Sequence, residues 1–287
     1  MPLSALIIAG AAGAVGGAAG KLTERVCDVG TKWLGTYFKD HQPKAIEKAE
    51  ANAQAFVSAL AEKVSRLEES MTVEKSVLDR ALEEPSVGAL LQAALIGSAQ
   101  TASAEKHELF ASLLVNRLTA ENESMFAVSS RLACDAVINC TTRQIHILAF
   151  HVGLFLNWSE VATATFESRE TFILACRAWF ETRFKAFFDF DFRDDDLWHL
   201  ESVSCLTLMP VFSISLDSQL AVNWKSGEWK LKQEDLADFP AGQTIIRLWD
   251  KGLNKARTTS VGKLIGVMAS DLLCEAPPTN FPGWSDS

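Results

Sequence analysis

A mainly α-helical fold, a multi-helix bundle with a helical amino-terminal arm and a small carboxy-terminal α+β part, is what this sequence predicts. Three observations carry the prediction. Apolar residues recur at helical spacing through most of the first 190 positions. Between Pro85 and Leu156 four such runs follow one another with short polar breaks, the densest apolar stretch of the chain. Alternation of apolar and polar residues, the mark of a strand, is confined to about residues 207–232.

The 287 residues are 48% hydrophobic and 22% charged, which excludes wholesale disorder. A formal net charge of −9 argues against broad attraction to nucleic acid or anionic lipid. Six cysteines, at 27, 134, 140, 176, 205 and 274, form no C-x-x-C pair and sit mostly in apolar runs, so reduced, buried thiols are expected.

Leu3 to Gly20 carries no charge and is rich in Ala and Gly. As a helix it spans roughly 27 Å, close to the ~30 Å of a bilayer core. Gly10, Gly13, Gly16, Gly17 and Gly20 include two G-x-x-x-G spacings, Gly13 with Gly17 and Gly16 with Gly20, which let helix backbones touch. Two readings stay open: a segment that touches or enters a membrane, and an Ala/Gly helix buried against protein. A secretory signal is disfavoured, because no Lys or Arg precedes the apolar run.

From Lys21 to Lys39 a mixed amphipathic segment carries Leu22, Val26, Val29, Trp33, Leu34 and Phe38. Ala53, Val57, Leu60, Val64, Leu67 and Met71 then alternate four and three apart, a seam suited to knobs-into-holes packing, with Glu62 and Arg66 placed to pair outside it. The seam serves either an intramolecular helical hairpin or self-association. In the centre, Ser86, Ser103 and Thr141 are candidate helix caps, and Ala89, Ala93, Ala94 and Gly97 allow close approach of a neighbour. Phe126, Val128, Leu132, Ala133, Ala136, Val137 and Ile138 mark the third central helix.

Glu170 to Phe188 reads as an aromatic core helix with Arg177, Arg183 and Lys185 on its charged side. Asp194 to Cys205 reads as another. Phe212, Ile214 and Leu216, then Leu220, Val222 and Trp224, then Trp229 and Leu231, alternate as in an antiparallel meander with turns at Asp217-Ser218 and Ser226-Gly227. Helices around Thr244–Leu253 and Val261–Leu273 follow. The expected parts are an apolar segment 1–22, an arm 23–84, a central bundle 85–190, a winged-helix-like subdomain 191–275 and a tail 276–287. A DNA-binding wing is disfavoured, since the helix before it holds three aspartates, one glutamate and no Lys or Arg.

No phosphate-binding loop, G-x-S-x-G, H-E-x-x-H or dinucleotide glycine fingerprint is present. Glu105, His107 and Glu108, and His199 with Glu201, read as ordinary helix decoration. Asp194, Asp195 and Asp196 read as an acidic helix start rather than a cation site.

Three stretches resemble the LPO/Vpar-type family of bacterial proteins of unassigned function. They are Gln100-Thr101-Ala102-Ser103 with Glu105 to Leu118, Trp198 to Cys205, and Thr259 to Gly266. A remoter similarity is to Abi-alpha-like proteins, which are associated with phage defence. The resemblance implies a bacterial origin and carries no catalytic residue. The functional expectation is a non-enzymatic interaction or effector protein, a homo-oligomer without cofactor, metal or specific nucleic acid. Its expected place is the cytoplasm, with conditional contact at the inner membrane through residues 3–20. A soluble scaffold with a buried first helix, and an enzyme whose site is assembled from distant residues, are the alternatives.

Overall fold

The computed structural model describes residues 32–69, 80–81, 83–121, 123–155, 164–209 and 211–274, with Gly20, Val26, Gly30 and Val77. It divides into two compact units, one ending at Thr142 and one running from Arg143 to Thr279. The division falls inside the expected 85–190 bundle, so the fourth central helix belongs with the carboxy-terminal unit.

Among the described residues the amino-terminal unit holds α1 (Pro43–Glu69), α2 (Pro85–Ala99), α3 (Ala104–Thr119) and α4 (Met125–Asn139), with a helical stretch at 32–37 before them. Pro85 opens α2 at the first helical position, where its missing N–H costs nothing. Ser86 is therefore not the cap; its hydroxyl accepts from Arg117 at 2.7 Å instead. Ser103 caps α3 by accepting from the Lys106 amide, and Ser124 caps α4 by accepting from the Ala127 amide. Helix α1 packs on both α2 and α3. Its Ala53, Phe56, Val57, Leu60 and Val64 are buried, and the Phe56 ring meets Phe110 edge to face at 6.4 Å. Lys63 and Glu108 pair at 2.9 Å beside this contact. Helices α2 and α4 approach at Gly97, where a Cβ would stand 2.6 Å from Ile138.

The carboxy-terminal unit holds α5 (Thr142–Phe155, entering at Arg143), α6 (Arg169–Arg183), α7 (Asp194–Ser202), α8 (Leu216–Asn223), α9 (Pro240–Asp250) and α10 (Ser260–Leu273). Its two small sheets are β1 (Leu206–Leu208) with β4 (Ala256–Thr258), and the hairpin β2 (Lys225–Ser226) with β3 (Trp229–Lys230); both are antiparallel. The fold is mainly α with a small carboxy-terminal α+β region. Phe150, Phe180, Phe184, Phe187 and Trp224 form an aromatic core, with Phe150 and Phe184 centroids 4.9 Å apart and Phe180 and Trp224 centroids 4.4 Å apart. Two indole N–H groups are satisfied by backbone: Trp224 donates to the Leu154 carbonyl and Trp249 to that of Ile214.

Helix α10 comes unusually close to its neighbours. A Cβ on Gly262 would lie 1.9 Å from the Cys205 carbonyl oxygen, and one on Gly266 would lie 2.5 Å from that of Leu148. Thr259 caps α10 and its hydroxyl donates to the Ser204 and Cys205 carbonyls at 2.6 and 3.2 Å. The stretches 198–205 and 259–266, read separately in the sequence, thus meet at one joint.

The expected meander is corrected. Residues 216–223 are helical because Ser215 accepts from the Ser218 amide and caps α8, and Leu216 and Leu220 are buried one turn apart. Of the expected turns, only Ser226-Gly227 carries a hairpin, with Gly227 at φ +59°. The aromatic helix ends at Arg183 and continues as a 3-10 turn, Lys185–Phe187.

Replacing Gly262 by Ala is expected to destabilise the carboxy-terminal unit by about 2–3 kcal/mol, since backbone must move. Gly35→Ala meets nothing within 4 Å and should be neutral or stabilising by about 0.5–1 kcal/mol. Urea unfolding of both variants beside the parent checks the pair; equal midpoints would contradict the close approach.

Candidate functional site

Several polar groups buried in each unit are tied to local structure. His107 Nε2 lies 2.9 Å from the Thr101 carbonyl and 3.3 Å from that of Ser98, so the ring holds the α2–α3 turn. Arg117 reaches Ser86 and the Ala120 carbonyl, and burial pushes its guanidinium below its ordinary value. Burial likewise lowers Lys106, with Cys140 opposing the shift. In the other unit Asp196 is buried, accepts from the Arg193 amide at 2.9 Å, and is met by Arg143 at 3.1 Å and Gln144 at 3.3 Å. The carboxylate that sequence reading placed at an acidic helix start therefore caps α7. Glu201 accepts from the Leu208 amide at 2.8 Å and joins α7 to β1. Among the described residues no three His, Cys, Asp or Glu side chains gather as metal ligands.

The arginines of α6 face carboxylates. Arg169 pairs with Asp235 at 2.7 Å, Arg177 with Asp238 at 3.8 Å, and Arg183 with Asp271 at 3.8 Å. Arg177 also stacks over Phe239 and Arg183 over Trp179. Burial pushes the thiols of Cys134 and Cys176 up to about 12, so neither is a ready nucleophile at neutral pH.

Of the two uses left open for the α1 seam, the structure of the single chain shows the intramolecular one. Ala53, Val57, Leu60 and Val64 are buried inside the single chain against α2 and α3, because that face is the only apolar one α1 has to offer them. Leu67 is half-buried, Met71 lies outside the described residues, and Glu62 and Arg66 pair on the exposed side. Gly10, Gly13, Gly16 and Gly17 also lie outside the described residues; Gly20 is helical and half-buried. Among the described residues no helix is long and apolar enough to cross a membrane, and positions 3–19 are not among them.

Tyr37, Leu174, Trp198 and Val222 stand exposed singly, and two places group exposed apolar residues. On α4, Met125, Val128 and Leu132 are 56, 48 and 50% exposed. Their i, i+3, i+7 spacing lines them along one side of the helix. Ala133, Cys134 and Val137 fill the opposite, buried side. Sequence reading placed Val128 and Leu132 on this helix together with Ala133 and Val137, without assigning them a side. The missed signal is that α4 is apolar on two faces, while packing within the unit covers one. In the other unit, Val211 and Phe212 are 83 and 71% exposed after β1, held at the base by the Met209 and Ile214 amides donating to the Lys255 and Asn254 carbonyls.

A family model matches residues 20–227, and it is the Vpar-type family that the three stretches resemble. The stretches at 100–118 and 198–205 fall within the match, and 259–266 lies beyond it. No curated protein and no solved structure matches the chain.

His151 gives this unit a pH dependence. It is fully buried on α5 with Nε2 3.2 Å from the Ala256 carbonyl; burial, opposed by that bond and helped by the Arg257 charge, takes its pKa down to about 3. The unfolded chain, with His near 6.5, binds the proton that the folded one refuses. Stability contributed by neutral His151 is therefore complete above about pH 6.5 and is lost as pH falls towards 3. His151→Gln should flatten the stability–pH slope over that window by about one proton, or ~1.4 kcal/mol per pH unit. Urea midpoints between pH 7 and pH 4 (about) read it; parallel slopes for parent and variant would contradict it.

Proposed function

We propose that this chain, which belongs to the LPO/Vpar-type family of bacterial proteins of unassigned function, works as a non-enzymatic interaction component whose contact surface is the exposed side of α4. The carrying observation is the stripe Met125, Val128, Leu132 left uncovered on a helix whose other side is well packed. A helix exposed to water on one side does not need three large apolar residues there. About half of each is still exposed, so covering it contributes roughly 1 kcal/mol apiece and a few kcal/mol for all three before the costs of association. His107, Asp196 and Asp235 serve a turn, a helix start and an ion pair, which supports a binding role over an assembled catalytic one.

An effector role in defence, with residues 3–20 entering a membrane on a trigger, extends this reading. It draws on the length and glycine spacing of that segment and on the resemblance alone. Full-length protein and a deletion of residues 2–20 would be compared for liposome binding and dye release. Equal behaviour of the two forms would remove the membrane part and leave the α4 surface.

For the surface itself, a photo-crosslinking amino acid at Val128 in living bacteria is expected to give discrete adducts, and the same group at Glu69, exposed at the end of α1, is not. Illumination that yields no adduct at Val128 would overturn the proposed contact surface.

A further inference from the structure

We draw no further inference here: the strongest candidate, the exposed apolar turn at Val211 and Phe212 after β1, carries nothing because no feature of the structure shows what covers it.

Discussion

Two missing side chains set the form of the carboxy-terminal unit. Where Gly262 and Gly266 face the carbonyl oxygens of Cys205 and Leu148, there is no room for even a methyl group. Backbone contact this close places the start of α10 over the end of the α7–β1 segment, and its next turn over α5. Thr259 then completes the joint, its hydroxyl donating to the Ser204 and Cys205 carbonyls and its amide to that of Cys205. With α10 so fixed, β4 stands immediately before it and pairs with β1 in the register Leu206 to Thr258. The aromatic cluster around Phe184 and Trp224 fills the space beneath α6 and α8. A glycine pair at i, i+4 thus does here, within one unit, what the sequence suggested for the amino-terminal glycines between helices.

The amino-terminal unit solves its packing by size matching. Helix α1 offers one apolar face, α2 and α3 take it, and Gly97 makes room for Ile138 and Phe110. Its polar interior is spent at chain reversals: His107 on the α2–α3 turn, Arg117 on the α3 end and the α2 start. Such groups satisfy backbone that would be costly to bury unpaired. This economy leaves α4 covered on one side only.

Much of this architecture is legible in the sequence because helices of ten or more residues repeat their pattern several times. The runs behind α1 to α5 and the Ser103 cap are of that kind. The misreading of residues 212–224 has a definite cause. Leu216 and Leu220 are four apart, a spacing shared by a strand face and a helix face, and the capping hydroxyl of Ser215 decides between them. Pairing of β1 with β4 joins residues about fifty apart, and no local pattern announces it. The division at Thr142 is equally invisible, since α4 and α5 are separated by two residues and both are apolar. As for the α4 surface, Val128 and Leu132 were legible as helical and apolar but not as outward-facing. A helix apolar on two sides does not say which side its own chain will cover.

The thiols carry a consequence for anyone handling the protein. Cys134 and Cys140 are buried in one unit, Cys176 and Cys205 in the other. A sulfur that is both occluded and held as the neutral thiol reacts with an alkylating reagent only during an excursion that opens its surroundings. Cys134 and Cys176, whose thiols burial keeps neutral, therefore give each unit one internal clock. The rate at which each sulfur acquires a label, read residue by residue after digestion, reports how often that unit breathes, without any dye or substitution being introduced.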